Sequence, residues 1–129
     1  METERQLGVW MDHSEAHLME LRNDDIITSK VELDITPKEK EEAYTRSEDI
    51  MHNKEQQHQH SYYKKICDIL KDFNNVVLFG PTTAKNELYN LIKTDPHFET
   101  IRVDVRSTDK LTEHQQEAFV KRHFQYQLK

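Results

Sequence analysis

The sequence predicts an α/β domain with a mixed five-stranded sheet and helices on its faces, and three observations predict it. Val76, Val77, Leu78 and Phe79 form an unbroken apolar run too short for a helix core, as in a strand buried on both sides. Gly80 and Pro81 end that run, and Thr82 or Thr83 can cap a helix whose Ala84, Leu88, Leu91 and Ile92 share one face. The chain before this segment alternates with a period of two, whereas strand and helix patterns alternate after it. Antiparallel neighbours at the start and parallel crossovers at the end follow.

Leu7, Val9 and Met11 alternate with Gly8, Trp10 and Asp12, which reads as a strand with two unlike faces. Asp12, His13 and Ser14 make a turn, and Glu15 to Leu21 resumes extended character, so the two runs form a hairpin. Asn23 and Asp24 supply a second turn, and Ile27, Val31, Leu33 and Ile35 mark a third strand, with Ser29 breaking the stripe. Together they make an antiparallel meander.

Residues 36–60 hold Pro37, many charged groups and only Ala43, Tyr44, Ile50 and Met51 as scattered apolar residues. That is too little burial to offset the ordering entropy of a fixed segment, so a long mobile loop is expected, of the kind that often carries function. His52, Gln56, Gln57, His58 and His60 lie in it, followed by Lys64 and Lys65. Imidazole and amide side chains can contact an RNA backbone or stack on bases once a loop orders. His52, His58 and His60 could also ligate a transition metal, although structural zinc sites want four fixed ligands. A solvated, pH-responsive loop is the plainer reading.

After the loop, Tyr62, Ile66, Ile69, Leu70 and Phe73 recur at helical spacing, with Lys64, Lys65, Asp68, Lys71 and Asp72 turned to water. Cys67 sits near the edge of the buried stripe and reads as a packed thiol. Beyond the second helix, Asp95 and Pro96 break the chain. Ile101, Val103 and Val105 alternate with Arg102, Asp104 and Arg106, as in a charged edge strand. Thr112 with Gln115 has capping-box spacing for a last helix that carries Ala118, Phe119 and Val120 and holds Lys121, Arg122 and His123 on its outer face.

At 129 residues the chain makes a single domain, and charged residues at 33% against 35% hydrophobic describe a polar one. A formal charge of -6 argues against a general nucleic-acid binder, while leaving room for a local basic patch. The lone cysteine points to a reducing compartment and no stretch resembles a membrane span, so a cytoplasmic setting without a membrane partner is expected; no cofactor is expected either.

The hexapeptide GPTTAK ahead of an amphipathic helix resembles the G/S-P-G-x-x-K strand-turn-helix signature in the middle domain of Pelota, the stalled-ribosome rescue factor. More loosely it is similar to the matching turn of the class 1 release factors of eukaryotes and archaea. LGVWMDHSEAHLMEL resembles the opening hairpin of that domain, and is closer to small bacterial relatives labelled translational machinery proteins, through Trp10, Asp12, His13, Glu15 and Ala16. The resemblance covers about Leu7 to Phe124. It implies an RNase H-like three-layer fold with strand order 3-2-1-4-5, strand 2 antiparallel. It also implies work on the ribosome or tRNA.

In the release factors the connection corresponding to 36–60 presents a Gly-Gly-Gln tip, whose glycines allow backbone conformations closed to other residues. This chain has only Gly8 and Gly80, so hydrolysis of peptidyl-tRNA is not expected, and Pelota too lacks the tripeptide. The leading expectation is a non-catalytic translation-associated protein that binds ribosome or tRNA. Its binding groups would be the loop and adjoining helix, and the strand-end turns carrying Asp12, His13, Gly80, Pro81, Thr82 and Lys85. One alternative is a metal-dependent nuclease or hydrolase using Asp12, Glu15, Glu20 or Asp104. The other is a metal- or stress-sensing domain that works through the histidines.

Overall fold

The computed structural model describes residues 4–23, 25–33 and 48–125, and for 48–57 the backbone only. The chain runs β1 (Gln6–Met11), β2 (Glu15–Arg22), β3 (Asp25–Glu32), α1 (Glu48–Leu70), β4 (Asn75–Gly80), α2 (Ala84–Ile92), a 3-10 turn (Pro96–Phe98), β5 (Arg102–Ser107) and α3 (Glu113–Gln125). The strands form one sheet in the order β3-β2-β1-β4-β5. β2 lies antiparallel to β1 and β3, while β4 lies parallel to β1 and β5. This is the mixed RNase H-like arrangement expected.

Every residue of β4 is buried. Val76 and Leu78 point into a cluster with Leu7, Val9, Met11, Leu18, Tyr62, Ile66, Leu70 and Leu88, which fills the space beneath α1 and α2. Val77 and Phe79 point the other way, with Trp10, Met19, Val120 and Phe124 under α3. The apolar run of β4 therefore reflects two cores, one on each face of the sheet.

Turn chemistry fixes the joints. Asn23 takes φ 51, the left-handed conformation a tight hairpin turn needs. The capping box forms as its spacing predicts: Gln115 N donates to Thr112 Oγ1 at 3.2 Å and Thr112 N to Gln115 Oε1 at 2.9 Å. Gly8 is a matter of space, because a Cβ there would lie 2.2 Å from Val120 Cγ2, and α3 crosses β1 at that point.

The helix assigned to follow the loop begins earlier than expected, at Glu48, so residues 48–60 are helical and not loop. Apolar periodicity misses these turns because their sequence is mostly polar, although its Glu, Lys and Gln residues favour helix by intrinsic propensity. The rest of the expected mobile loop, 36–47, lies outside the described residues, as does Ile35. In α3 the buried residues are Gln116, Val120 and Phe124; Ala118 is exposed. His123 turns inward beside Asp104, 3.4 Å away, and away from the outer surface expected for it.

Replacing Gly8 by Ala is expected to lower stability by about 1–3 kcal/mol through overpacking against Val120. Thermal or urea unfolding of G8A, V120A and the double variant checks this, and a coupling energy that returns part of the loss in the double variant is the expected result.

Candidate functional site

The carboxyl ends of β1 and β4 are neighbours, and the turns that leave them build a polar cluster. Asp12 orders the first turn: its Oδ1 accepts from Ser14 N at 2.7 Å and Glu15 N at 2.9 Å. Gly80 ends β4 with φ +150, and a Cβ there would sit 2.3 Å from Met11 O. Only glycine lets the two strand ends approach so closely.

His13 leaves the first turn and reaches α2, where its Nε2 donates to Glu87 Oε2 at 2.9 Å. Glu87 also accepts from Tyr63 Oη at 2.8 Å and Thr83 Oγ1 at 3.2 Å. One carboxylate thus joins the β1–β2 turn, α1 and the start of α2. Its partial burial raises its pKa, but the hydrogen bonds from His13, Tyr63 and Thr83 outweigh this and hold it below the usual carboxylate range. Burial and the bond to Glu87 push the Tyr63 hydroxyl up. Burial, with the charge of Asp12 next, does the same for Tyr62.

α1 is fastened to the same turn by two further bonds. Tyr62 Oη donates to Asp12 O at 2.9 Å, and Gln59 Nε2 donates to His13 O at 3.1 Å. Lys64 and Lys65 are exposed on this helix, and among the described residues no carboxylate lies within ion-pair distance of either. His60 is exposed and His58 half-buried.

The other candidates separate. His58 and His60 stand two apart on a helix, so their rings leave on different sides and cannot share one ion as loop residues could. The side chains of His52, Gln56 and Gln57 lie outside the described residues. Among the described residues no group of three His, Cys, Asp or Glu side chains is placed to hold a metal. The acids considered for a nuclease are each engaged elsewhere. Asp12 is spent on its turn, while Glu15 lies 3.8 Å from Lys30. Glu20 pairs with Arg5 and Arg22, and Asp104 with Arg102 and His123.

In the GPTTAK turn, Pro81 is exposed and Thr82 half-buried, its Oγ1 accepting from Ala84 N at 3.2 Å. Lys85 is buried, and its ammonium donates to Thr82 O, so it braces the turn. Periodicity gave no sign of this, because a lysine at the foot of a helix reads as solvated. Cys67 is equally quiet: burial, with Asp68 and Asp95 adding, raises its thiol to about 11.

Sequence reasoning also missed a buried pair on the opposite face. His17 Nδ1 donates to Gln116 Oε1 at 2.8 Å, and Gln116 Nε2 donates to Leu111 O at 3.0 Å, tying α3 to β2. Alternation placed His17 on the sheet but gave no sign of a polar partner on a helix ninety-nine residues away.

No protein-family model matches the chain, and no curated protein matches it in sequence. Solved structures do. Archaeoglobus fulgidus Pelota superposes with a TM-score of 0.60 at 12% identity, over 95% of this chain and 32% of that one. Thermoplasma acidophilum Pelota gives 0.56 at 15%, over 86% and 30%. The chain thus spans about a third of the length of these proteins, and what it shares with them is the fold. Among the described residues no helix is long and apolar enough to cross a membrane.

The lowered pKa of Glu87 has a testable sign. A depressed carboxyl contributes stability above its unfolded value of about 4.3, and that contribution is lost as pH falls through the folded value. Melting temperatures from pH 7 to pH 3 are expected to fall more steeply for the native chain than for E87Q, the two curves converging at the acid end. Separately, Y62F is expected to cost about 1 kcal/mol in urea unfolding through loss of the bond to Asp12 O.

Proposed function

We propose that this chain is a non-catalytic, translation-associated protein that binds the ribosome or tRNA through α1 and the turn to which it is fastened. What carries the reading is α1 itself. It exposes Lys64, Lys65 and His60, and it is held to the Asp12–His13 turn by Tyr62 and Gln59 and to Glu87 by Tyr63, on a fold shared with archaeal Pelota. Lysines with no acidic partner among the described residues are the groups that phosphates attract, and in a chain of net charge -6 a local patch must supply them. His52, Gln56, Gln57 and His58 lie on the same helix, toward its amino end.

Ester hydrolysis by a glycine-bearing tip is not part of the proposal. Both glycines are committed to packing, Gly8 against Val120 and Gly80 against Met11 O. None is left for a tip.

Pelleting of ribosomes from lysate through a sucrose cushion tests the reading. The chain is expected to cosediment at low salt and to be released as salt rises, and the K64E/K65E double variant to bind about tenfold more weakly while melting normally. A chain that stays in the supernatant at low salt would overturn it, as would charge reversal without effect.

A further inference from the structure

The two edges of the sheet are built differently. β5 carries Arg102, Asp104 and Arg106 in alternation, the kind of charged edge that discourages pairing. β3 carries the uncharged run Ile26, Ile27, Thr28 and Ser29, with neither proline nor bulge, and Ile27 is 49% exposed. No described strand lies on its outer side.

Which main-chain groups face outward follows from the ladder. Leu33 N donates to Ser14 O at 2.7 Å, so the odd-numbered residues of β3 exchange hydrogen bonds with β2. In an antiparallel pair these alternate with non-bonded positions, which turns the N–H and C=O groups of Ile26, Thr28, Lys30 and Glu32 toward the outer side of β3, where no described strand lies.

We propose that β3 is a pairing edge whose partner is β3 of a second copy of this chain, joined antiparallel about a two-fold axis through Ser29. Opposed residues in such a ladder point to the same side of the sheet, so the axis must pass through one residue facing its own copy. An axis through Lys30 sets two ammonium groups face to face. An axis through Ile27 leaves residues 30–32 beyond the hairpin turn, and one through Thr28 places Ile27 against serine and Asp25 against valine.

The axis through Ser29 uses the strand from end to end. Thr28 meets Lys30 and Ile26 meets Glu32, so all four outward-facing residues exchange main-chain hydrogen bonds. On the α1 side, Ile27 is covered by Val31 of the second copy, twice over. Lys30 enters the seam already compensated, 3.6 Å from Glu32 and 3.8 Å from Glu15. The product is a ten-stranded sheet with the α1 surfaces on one face.

Sedimentation velocity over a concentration series is expected to find a species of twice the chain mass. T28P removes one outward N–H and leaves the ladder to β2 intact, so it is expected to be monomeric with an unchanged circular dichroism spectrum and melting temperature. I27K is expected to weaken association at least tenfold. In a C67S background, S29C is expected to cross-link on oxidation, because residues facing across a non-bonded pair lie within disulfide reach, whereas I27C is not. A monomer at every concentration, a dimer that survives in T28P, or cross-linking through position 27 in place of 29 would overturn the proposal.

Discussion

The structure depends on one constraint: β4 is buried along its whole length, so both faces of the sheet at its centre must be covered. Because it also lies parallel to both its neighbours, it is entered and left through helical crossovers. Those crossovers place β1 and β4 parallel and side by side, which brings their carboxyl ends together. The Asp12 turn and the Gly80 turn are then neighbours, and the helices that leave or approach them share hydrogen-bonding groups. The polar cluster around Glu87 is thus a product of the sheet order as much as of its own residues.

Much of this was legible because the signals were local. The apolar run of β4, the Asp12 turn and the Thr112–Gln115 box each rest on residues close together in the chain, and each appears where its spacing places it. What escaped had distant causes or none in hydrophobicity. The first turns of α1 are polar, so a search for an apolar stripe passes over them, although propensity favours helix. Lys85, His17, Gln116 and His123 are polar residues turned inward, and their partners lie on other elements or in the backbone of a turn. Period and composition cannot announce such pairings. The candidate site was read in part: Asp12, His13 and the GPTTAK turn do come together, but Glu87, Tyr62 and Tyr63, which tie them to α1, carried no motif.

The likeness to Pelota and the chemistry of the residues bear on different questions. At 12–15% identity the shared feature is an architecture, and architectures host unrelated activities. The functional reading therefore leans on the helix surface and on how that helix is held. Three side-chain hydrogen bonds from α1 reach the turn and Glu87 within a few residues of the exposed lysines. A surface presented on an element so fixed loses less freedom on binding than one on an untethered segment.

Trp10 is the only tryptophan, and it lies in the α3 core, with its ring 5.0 Å from that of His17. The core beneath α1 holds tyrosines instead, Tyr62 and Tyr63 among them. Indole emission consequently reports on one side of the sheet alone. Undocking of α3 would register as a spectral red shift even while the opposite layer stayed intact.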